Sequence, residues 1–283
     1  MLLVAPSDNI VAPTAIPPGT GRLRVERRGA RSVVPCAQAT SPLKWLLPAN
    51  HGHAAWIFAS TYGGGLVGGD AIATDVEIGP GAAAVLSTQA STKVYRSPRG
   101  TTTTLQARVA AGGLLVVIPD PVVCFASSAY TQRQTFDLHP DASLVCLDWM
   151  TSGRRARGER WLFDRYRATL SIRHASRLIC YDAVTLDAGD GSIGDRFGRF
   201  DVLATLALVG PAVGPDAARL LDALARAPVE RRPDLLMSAA PLAGGGVMVR
   251  CAGRSVEAVG RAVRSAVPSL SALLGDDPWM RKW

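Results

Sequence analysis

The stretch from Gly63 to Ser97, GGGLVGGDAIATDVEIGPGAAAVLSTQASTKVYRS, constrains the fold more than any other part of the chain. Gly63, Gly64, Gly65, Gly68 and Gly69 fall within seven positions, a density that frees the backbone to adopt positive φ. After Asp70 the pattern changes. Ile72, Val76 and Ile78 lie on one side of an extended segment, with Asp75 and Glu77 on the other. Period-two alternation of this kind specifies a half-buried strand. Gly79-Pro80-Gly81 breaks it, and Ala82 to Leu86 reads as a return strand. Ala71 to Leu86 therefore predicts a β-hairpin.

The β reading extends along the chain. Leu23 and Val25 share a face of a first strand, and Trp56 to Ser60 leads into the glycine turn. Thr103, Leu105, Ala107 and Val109 alternate with polar neighbours, and Leu114 to Ile118 is a short apolar run stopped by Pro119 and Pro121. Tyr130 to Leu138 and Leu144 to Met150 flank His139-Pro140-Asp141. Leu162, Tyr166, Ala168, Leu170 and Ile172 mark a further strand that turns at His174 to Arg177 into Leu178 to Leu186. Helical spacing arrives late, at Leu220, Leu221 and Leu224 after Pro215, and at Val256, Val259 and Val263 behind a capping Ser255. The expected fold class is mainly β with two helices in the C-terminal third. No repeat of fixed length is visible. Residues 1–20, with Pro6, Pro13, Pro17 and Pro18, predict a flexible tail, and 21–283 a single domain.

Composition narrows the function. A hydrophobic content of 48% over 283 residues supports a substantial core. No segment approaches the roughly eighteen apolar residues of a membrane-spanning helix, and Leu2 to Val4 is too short for a signal-peptide core, so a cytoplasmic protein away from membranes is expected. Cys36, Cys124, Cys146, Cys180 and Cys251 are odd in number and show no CxxC spacing, which argues against a disulfide framework or a closed zinc site. The formal charge is +8 and comes almost entirely from arginine, with Lys44, Lys93 and Lys282 the lysines. The arginines are dispersed apart from Arg154, Arg155 and Arg157, and no aromatic-basic repeat accompanies them. An acidic protein partner fits this charge better than nucleic acid does.

Each chemically suggestive motif has a structural alternative. The glycine turn lacks the GK[ST] ending of a phosphate loop and leads into a strand, so a structural turn capped by Asp70 is preferred. Cys124 among Val122, Val123 and Phe125 reads as a buried thiol, and Ser87, Thr88 and Ser91 lie outside any nucleophile elbow. His51 and His53 form an HxH that needs further ligands before it can hold a metal. Asp148 sits in the apolar strand LVCLDWM, where a carboxylate needs a partner or takes a raised pKa. Glu159 lies beside Arg157 and Arg160, and an ion pair with one of them is the structural reading.

The order GLVGGD, GPG, TQxxTKVYRS resembles the signature region of the UreD family of urease accessory proteins, called UreH in some systems. The motif positions here are Gly64, Gly65, Gly68, Gly69, Gln89, Thr92, Lys93, Tyr95 and Arg96. Ser152 to Arg160, SGRRARGER, is similar to the family's LGRxASGE segment, although Thr151-Ser152 stands where Cys-Leu is usual. Phe197-Gly198-Arg199-Phe200 and the ending PWMRKW match later blocks. The resemblance implies stacked, strongly twisted β-sheets of β-helical character. It also implies a non-catalytic scaffold that works with UreF-like and UreG-like proteins on apo-urease to insert nickel, holding no cofactor stably and passing nickel in transit. A dimer within the accessory complex is compatible with it. The implied nickel path is lined by acidic side chains; Asp70 and Glu159 match acidic motif positions, Asp148 is a third candidate, and His51 and His53 are weaker ones. An enzyme on a β scaffold and a basic nucleic-acid binder are the rival readings. A converging nucleophile and base would mark the first, and steep salt dependence of binding the second.

Overall fold

The structure is a computed structural model and describes residues 16–280. Its strands, in chain order, are β1 (Thr20–Arg28), β2 (Arg31–Ala39), β3 (Leu43–Leu46), β4 (Ala55–Thr61), β5 (Ala71–Ile78), β6 (Ala83–Thr88), β7 (Lys93–Val94), β8 (Thr101–Val109) and β9 (Leu114–Val117). They continue as β10 (Val122–Cys124), β11 (Ala129–Leu138), β12 (Ser143–Thr151), β13 (Arg165–His174), β14 (Arg177–Asp187), β15 (Val202–Val209), β16 (Leu235–Pro241) and β17 (Val247–Gly253). The α-helices are α1 (Ile193–Phe197), α2 (Gly214–Arg226), α3 (Val256–Ala266) and α4 (Leu270–Leu274). The mainly β class with late helices holds.

The predicted hairpin over 71–86 does not form. β5 belongs to a seven-stranded sheet ordered β14-β13-β11-β8-β5-β1-β2, and β6 to a ten-stranded sheet whose main path is β16-β17-β15-β12-β9-β6-β4-β3. Gly79-Pro80-Gly81 is a corner between sheets. Ala82 N–H bonds the Gly79 carbonyl at 3.1 Å, and Gly81 takes φ +62°, a conformation favouring glycine. The same i to i+3 turn recurs at Gly113 to Ala110 and at Ala142 to His139. The chain thus turns the same kind of corner from the seven-stranded to the ten-stranded sheet at β5–β6, β8–β9 and β11–β12, winding as a β-helix.

Register follows from this winding. In the seven-stranded sheet Leu23, Val76, Ala107, Phe136, Ile172 and Cys180 align across six strands and point inward. The next row out, Arg24, Glu77, Arg108, Asp137 and Arg173, alternates in sign along the solvent face. A one-residue slip would exchange these rows, so the pattern fixes the pairing. Coils of unequal length hide the repeat from the sequence: Ala71 neighbours Thr102, Thr102 neighbours Thr131, and Thr131 neighbours Arg167.

The architecture has three layers. One face of the ten-stranded sheet packs on the seven-stranded sheet through Ile57, Leu86, Leu115, Leu144 and Val209. Its other face presents Trp56, Val116, Leu147, Leu206 and Val249 to Leu220, Val259, Val263 and Leu270 of the helices. A sheet covered on both faces needs strands apolar on both faces, and β6, β9 and β12 are such strands. Of the proline-rich opening, residues 1–15 lie outside the described residues. Pro17 to Thr20 is tied down: the Thr40 hydroxyl donates to the Pro17 carbonyl at 2.7 Å, and Gly19 N–H bonds the Ser41 carbonyl at 2.8 Å. Arg281 to Trp283 of the terminal motif are likewise outside the described residues, whereas Trp279 lies under the Arg264 guanidinium at 5.7 Å.

Candidate functional site between the sheets

The core between the sheets is divided. One apolar cluster gathers around Phe136 and Leu144, and another around Tyr130, Phe163 and Tyr166. Polar side chains lie between them. Thr103, Gln132 and Gln134 point inward from the seven-stranded sheet, and Asp148 points back from β12; all four line a cavity of about 300 Å³. Asp148 also lines a second space of about 20 Å³ with Tyr166, Asp182 and Thr205, enough for about one water molecule. Asp148 therefore stands where the two spaces meet.

These groups are connected. The Tyr130 hydroxyl lies 2.6 Å from that of Thr103 and donates to Gln132 Oε1 at 3.0 Å, and Gln132 bonds the Asp148 carboxylate. Burial raises the Asp148 pKa from 3.8 to about 6, the Gln132 hydrogen bond opposes the rise, and Asp182 adds to it. What surface Asp148 exposes faces the cavities that it lines. The carboxylate is still ionised at neutral pH, in a setting with little bulk water to screen it.

The glycine-rich signature builds the rim of the larger cavity. Gly64, Leu66 and Ser87 to Thr92 line it. Gln89 accepts from the Ser60 hydroxyl at 2.7 Å, and Thr92 is part of the same segment. Leu66 exchanges backbone bonds with the signature's basic end, its N–H to Lys93 O at 2.8 Å and its carbonyl from Tyr95 N–H at 2.9 Å. Gly65 is obligatory there: a Cβ would come within 2.7 Å of the Lys93 carbonyl. Gly68 lies against Ser97, and Gly69 adopts φ +98° beside Arg99, whose guanidinium donates to the Gly68 carbonyl. Arg96 is exposed.

The acidic motif positions are each hydrogen-bonded to neighbouring loop groups. Asp70 Oδ2 accepts from Val67 N–H at 2.8 Å and closes the glycine turn. Glu159 pairs with Arg154, not with Arg157 or Arg160 as the local sequence suggests. Arg154 donates through two nitrogens, and Ala126 N–H adds a third bond at 3.2 Å. The Arg154 bond holds the Glu159 carboxyl below the ordinary range. Arg154 also lies 4.0 Å over the Phe125 ring, which meets Tyr95 edge-on at 5.1 Å. The two motif blocks thus join through Tyr95, Phe125, Arg154 and Glu159. Neither Asp70 nor Glu159 lines the cavities that Asp148 shares.

The HxH pair lies elsewhere. His51 and His53 flank Gly52, whose backbone packs on the end of α4: a Cβ there would come within 2.3 Å of the Leu274 carbonyl. His51 N–H bonds Asp276 at 3.1 Å and His53 N–H bonds Leu274 at 3.1 Å, so the loop is held through its backbone. Among the described residues no three His, Cys, Asp or Glu side chains gather to hold a metal. Burial pushes the Cys124 and Cys251 thiols up to about 12, and Cys146 is raised by the same cause, the opposite of an activated nucleophile. The Ser87 hydroxyl is buried and donates to the Ile118 carbonyl at 2.7 Å.

A family model described as UreD urease accessory protein matches residues 18–283. The chain belongs to the UreD family. A urease accessory protein UreD of Sorangium cellulosum is 53% identical over 94% of this chain and 84% of its own length. One from an Anaeromyxobacter species is 42% identical over 99% and 96%. Urease accessory protein D of Oryza sativa subsp. indica is 34% identical over 92% and 95%. In this UreD-family chain, sequence reasoning missed Asp182, which stands on β14 in a segment that reads only as an ordinary alternating strand. It also missed Asp201, which receives Arg155 at 3.0 Å and Arg160 at 2.6 Å; only the density of arginines before it hinted at a buried counter-ion. No helix among the described residues is long and apolar enough to cross a membrane.

Proposed function

We propose that this chain serves urease maturation as a non-catalytic scaffold. It assembles with UreF-like and UreG-like proteins on apo-urease and passes nickel through the seam between its sheets, a mainly apolar cavity into which Thr103, Gln132, Gln134 and Asp148 project. The observation that carries the reading is Asp148, an interior carboxylate shared by two adjoining, mainly apolar cavities and bonded there by the Gln132 amide. Oxygen donors hold nickel weakly compared with imidazole or thiolate, which suits transit over storage. A carboxylate facing such a passage favours a cation without closing a coordination shell around it. Asp70 and Glu159, each bound within its own loop, contribute to the rim and its support. An enzyme reading has little to stand on, given the raised thiols and the bonded Ser87. In a nucleic-acid reading, the clustered arginines Arg154, Arg155 and Arg160 would have to leave Glu159 and Asp201.

The test is activation of apo-urease by the complete accessory set, with this chain wild type, omitted, Asp148→Asn or Asp70→Ala. Omission is expected to abolish nickel loading, and Asp148→Asn to lower the nickel content of urease several-fold while the complex still assembles. Asp70→Ala is expected to lower unfolding free energy by about 1 kcal/mol through the lost turn bond. At a temperature where the variant is folded, urease nickel should stay normal. Wild-type nickel loading with Asp148→Asn would remove Asp148 from the path.

A further inference from the structure

The seam has unequal ends. At one end the larger cavity opens beside the exposed Gln89 and Ala90. At the other, the seven-stranded sheet stops at β14, while the ten-stranded sheet continues through β17 to β16. Across that second end runs a single row of inward-facing residues on the ten-stranded sheet, Asp148, Thr205 and Arg250, which are direct register neighbours on β12, β15 and β17. Asp182, on the last strand of the facing sheet, points into the same space as Asp148 and Thr205. The Arg250 guanidinium ion-pairs with Asp182 and so bridges the two sheets at their open edge. A fixed cation stands on the last carboxylate of a row suited to cations.

We propose that Arg250 is a latch on the passage: its guanidinium occupies the Asp182 carboxylate and closes the β14–β17 edge against a divalent cation. The inference rests on the reading of the seam as a nickel path. With the latch in place, a cation at Asp148 meets a like charge in the direction of Arg250, and the Asp182 carboxylate is already paired through Oδ1, which weakens it as a second oxygen donor. With the latch displaced, Asp148 and Asp182 face one small space that also holds the Thr205 hydroxyl. A partner surface that draws Arg250 outward would therefore open this end only when docked. The latch is able to move. The Arg250 side chain is 58% exposed while that of Asp182 is 12% exposed, and an ion pair with one solvated partner contributes little to folding.

The experiment uses the full-length chain purified with its accessory partners and measures nickel retention by equilibrium dialysis at pH 7.5. Arg250→Gln is expected to retain nickel at a free concentration at least tenfold lower than wild type, and Arg250→Lys, which keeps the cation, to behave as wild type. Asp148→Asn combined with Arg250→Gln should return to the wild-type level, placing the gained nickel in the seam. Unchanged retention in Arg250→Gln, or a gain that persists in the double variant, overturns the latch. Melting curves on the same samples establish that each variant is folded. The passage reading has its own readout: if Asp148→Asn lowers urease nickel but Arg250→Gln changes nothing, the latch alone fails. If Asp148→Asn leaves urease nickel normal, the path itself fails and the latch with it.

Discussion

Asp148→Asn is expected to make the protein more stable while making maturation worse. The carboxyl titrates near 6 in the folded protein instead of 3.8, chiefly because burial penalises its charged form. The fold therefore binds the proton more tightly than the unfolded chain does. That contribution to stability is fully present below pH 3.8 and is lost as pH rises through 6. At pH 8 the folded protein carries the whole penalty of a poorly solvated charge, roughly 2–3 kcal/mol from a shift of about two pKa units. Asparagine matches aspartate in size and can still accept a hydrogen bond from the Gln132 amide, so it removes the charge with little disturbance of packing. Chemical unfolding should show a gain of about 2 kcal/mol at pH 8, shrinking through pH 6 and absent near pH 4, together with a melting point several degrees higher at pH 8. In the activation assay the same substitution should lower nickel in urease several-fold. A pH-independent stability change, or a loss of stability at pH 8, would mean that the site is wetter or better paired than its surroundings indicate. Retaining a destabilising charge in the interior is what a functional site looks like energetically.

The sequence carries the strands of this fold more legibly than their pairing. The alternation Ile72, Val76, Ile78 identifies β5 correctly, but an adjacent strand after a tight turn has two destinations. It can fold back as a hairpin or turn a corner into a second sheet. The discriminating signal lies in β6, where Ala83 to Leu86 is buried on both faces, which a two-stranded edge with one wet face does not require. The same sequence of a half-exposed strand followed by one buried on both faces recurs at β8–β9 and β11–β12, and read together the three give the winding. Unequal loops, such as the twelve-residue stretch that holds the signature's polar end, mask the period. At the site, Asp148 is legible because a carboxylate in LVCLDWM conflicts with its neighbours. Asp182 and Arg250 are not, because each sits in an alternating strand where one charged residue is ordinary. Only the register that places Thr205 between Asp148 and Arg250 reveals their relation.

Asp201→Ala is expected to be among the most destabilising single changes outside the apolar core. Its side chain is 8% exposed and accepts from Arg155 and Arg160, while its backbone accepts from Ser152 N–H at 2.7 Å and donates to Gly253 at 2.9 Å. Arg160 also donates to the Gly198 and Phe200 carbonyls, at 2.5 and 3.1 Å, and Trp161 stacks on Phe197 at 4.4 Å. One carboxylate thus fastens the loop after β12 to the start of β15, and Arg160 carries the link on to the end of α1. Removing it leaves two guanidinium groups without their counter-ion, a change that costs about 3–5 kcal/mol when both partners are buried. Arg155 is 61% and Arg160 34% exposed, so water recovers part of the loss and about 2–3 kcal/mol is expected. Arg155→Ala, which removes only the more solvated partner, should cost under about 1 kcal/mol. Urea unfolding of the two variants beside wild type checks the ranking, and limited trypsin digestion should show faster cleavage at Arg154 to Arg157 in Asp201→Ala. The same loop carries Glu159 and Arg154 to Phe125 and Tyr95, and through them to the cavity rim. Loosening it at Asp201 should therefore reduce nickel delivery even at temperatures where the variant remains folded. An Asp201→Ala protein with wild-type unfolding and an uncut loop would show that the carboxylate is incidental to this link between motif blocks.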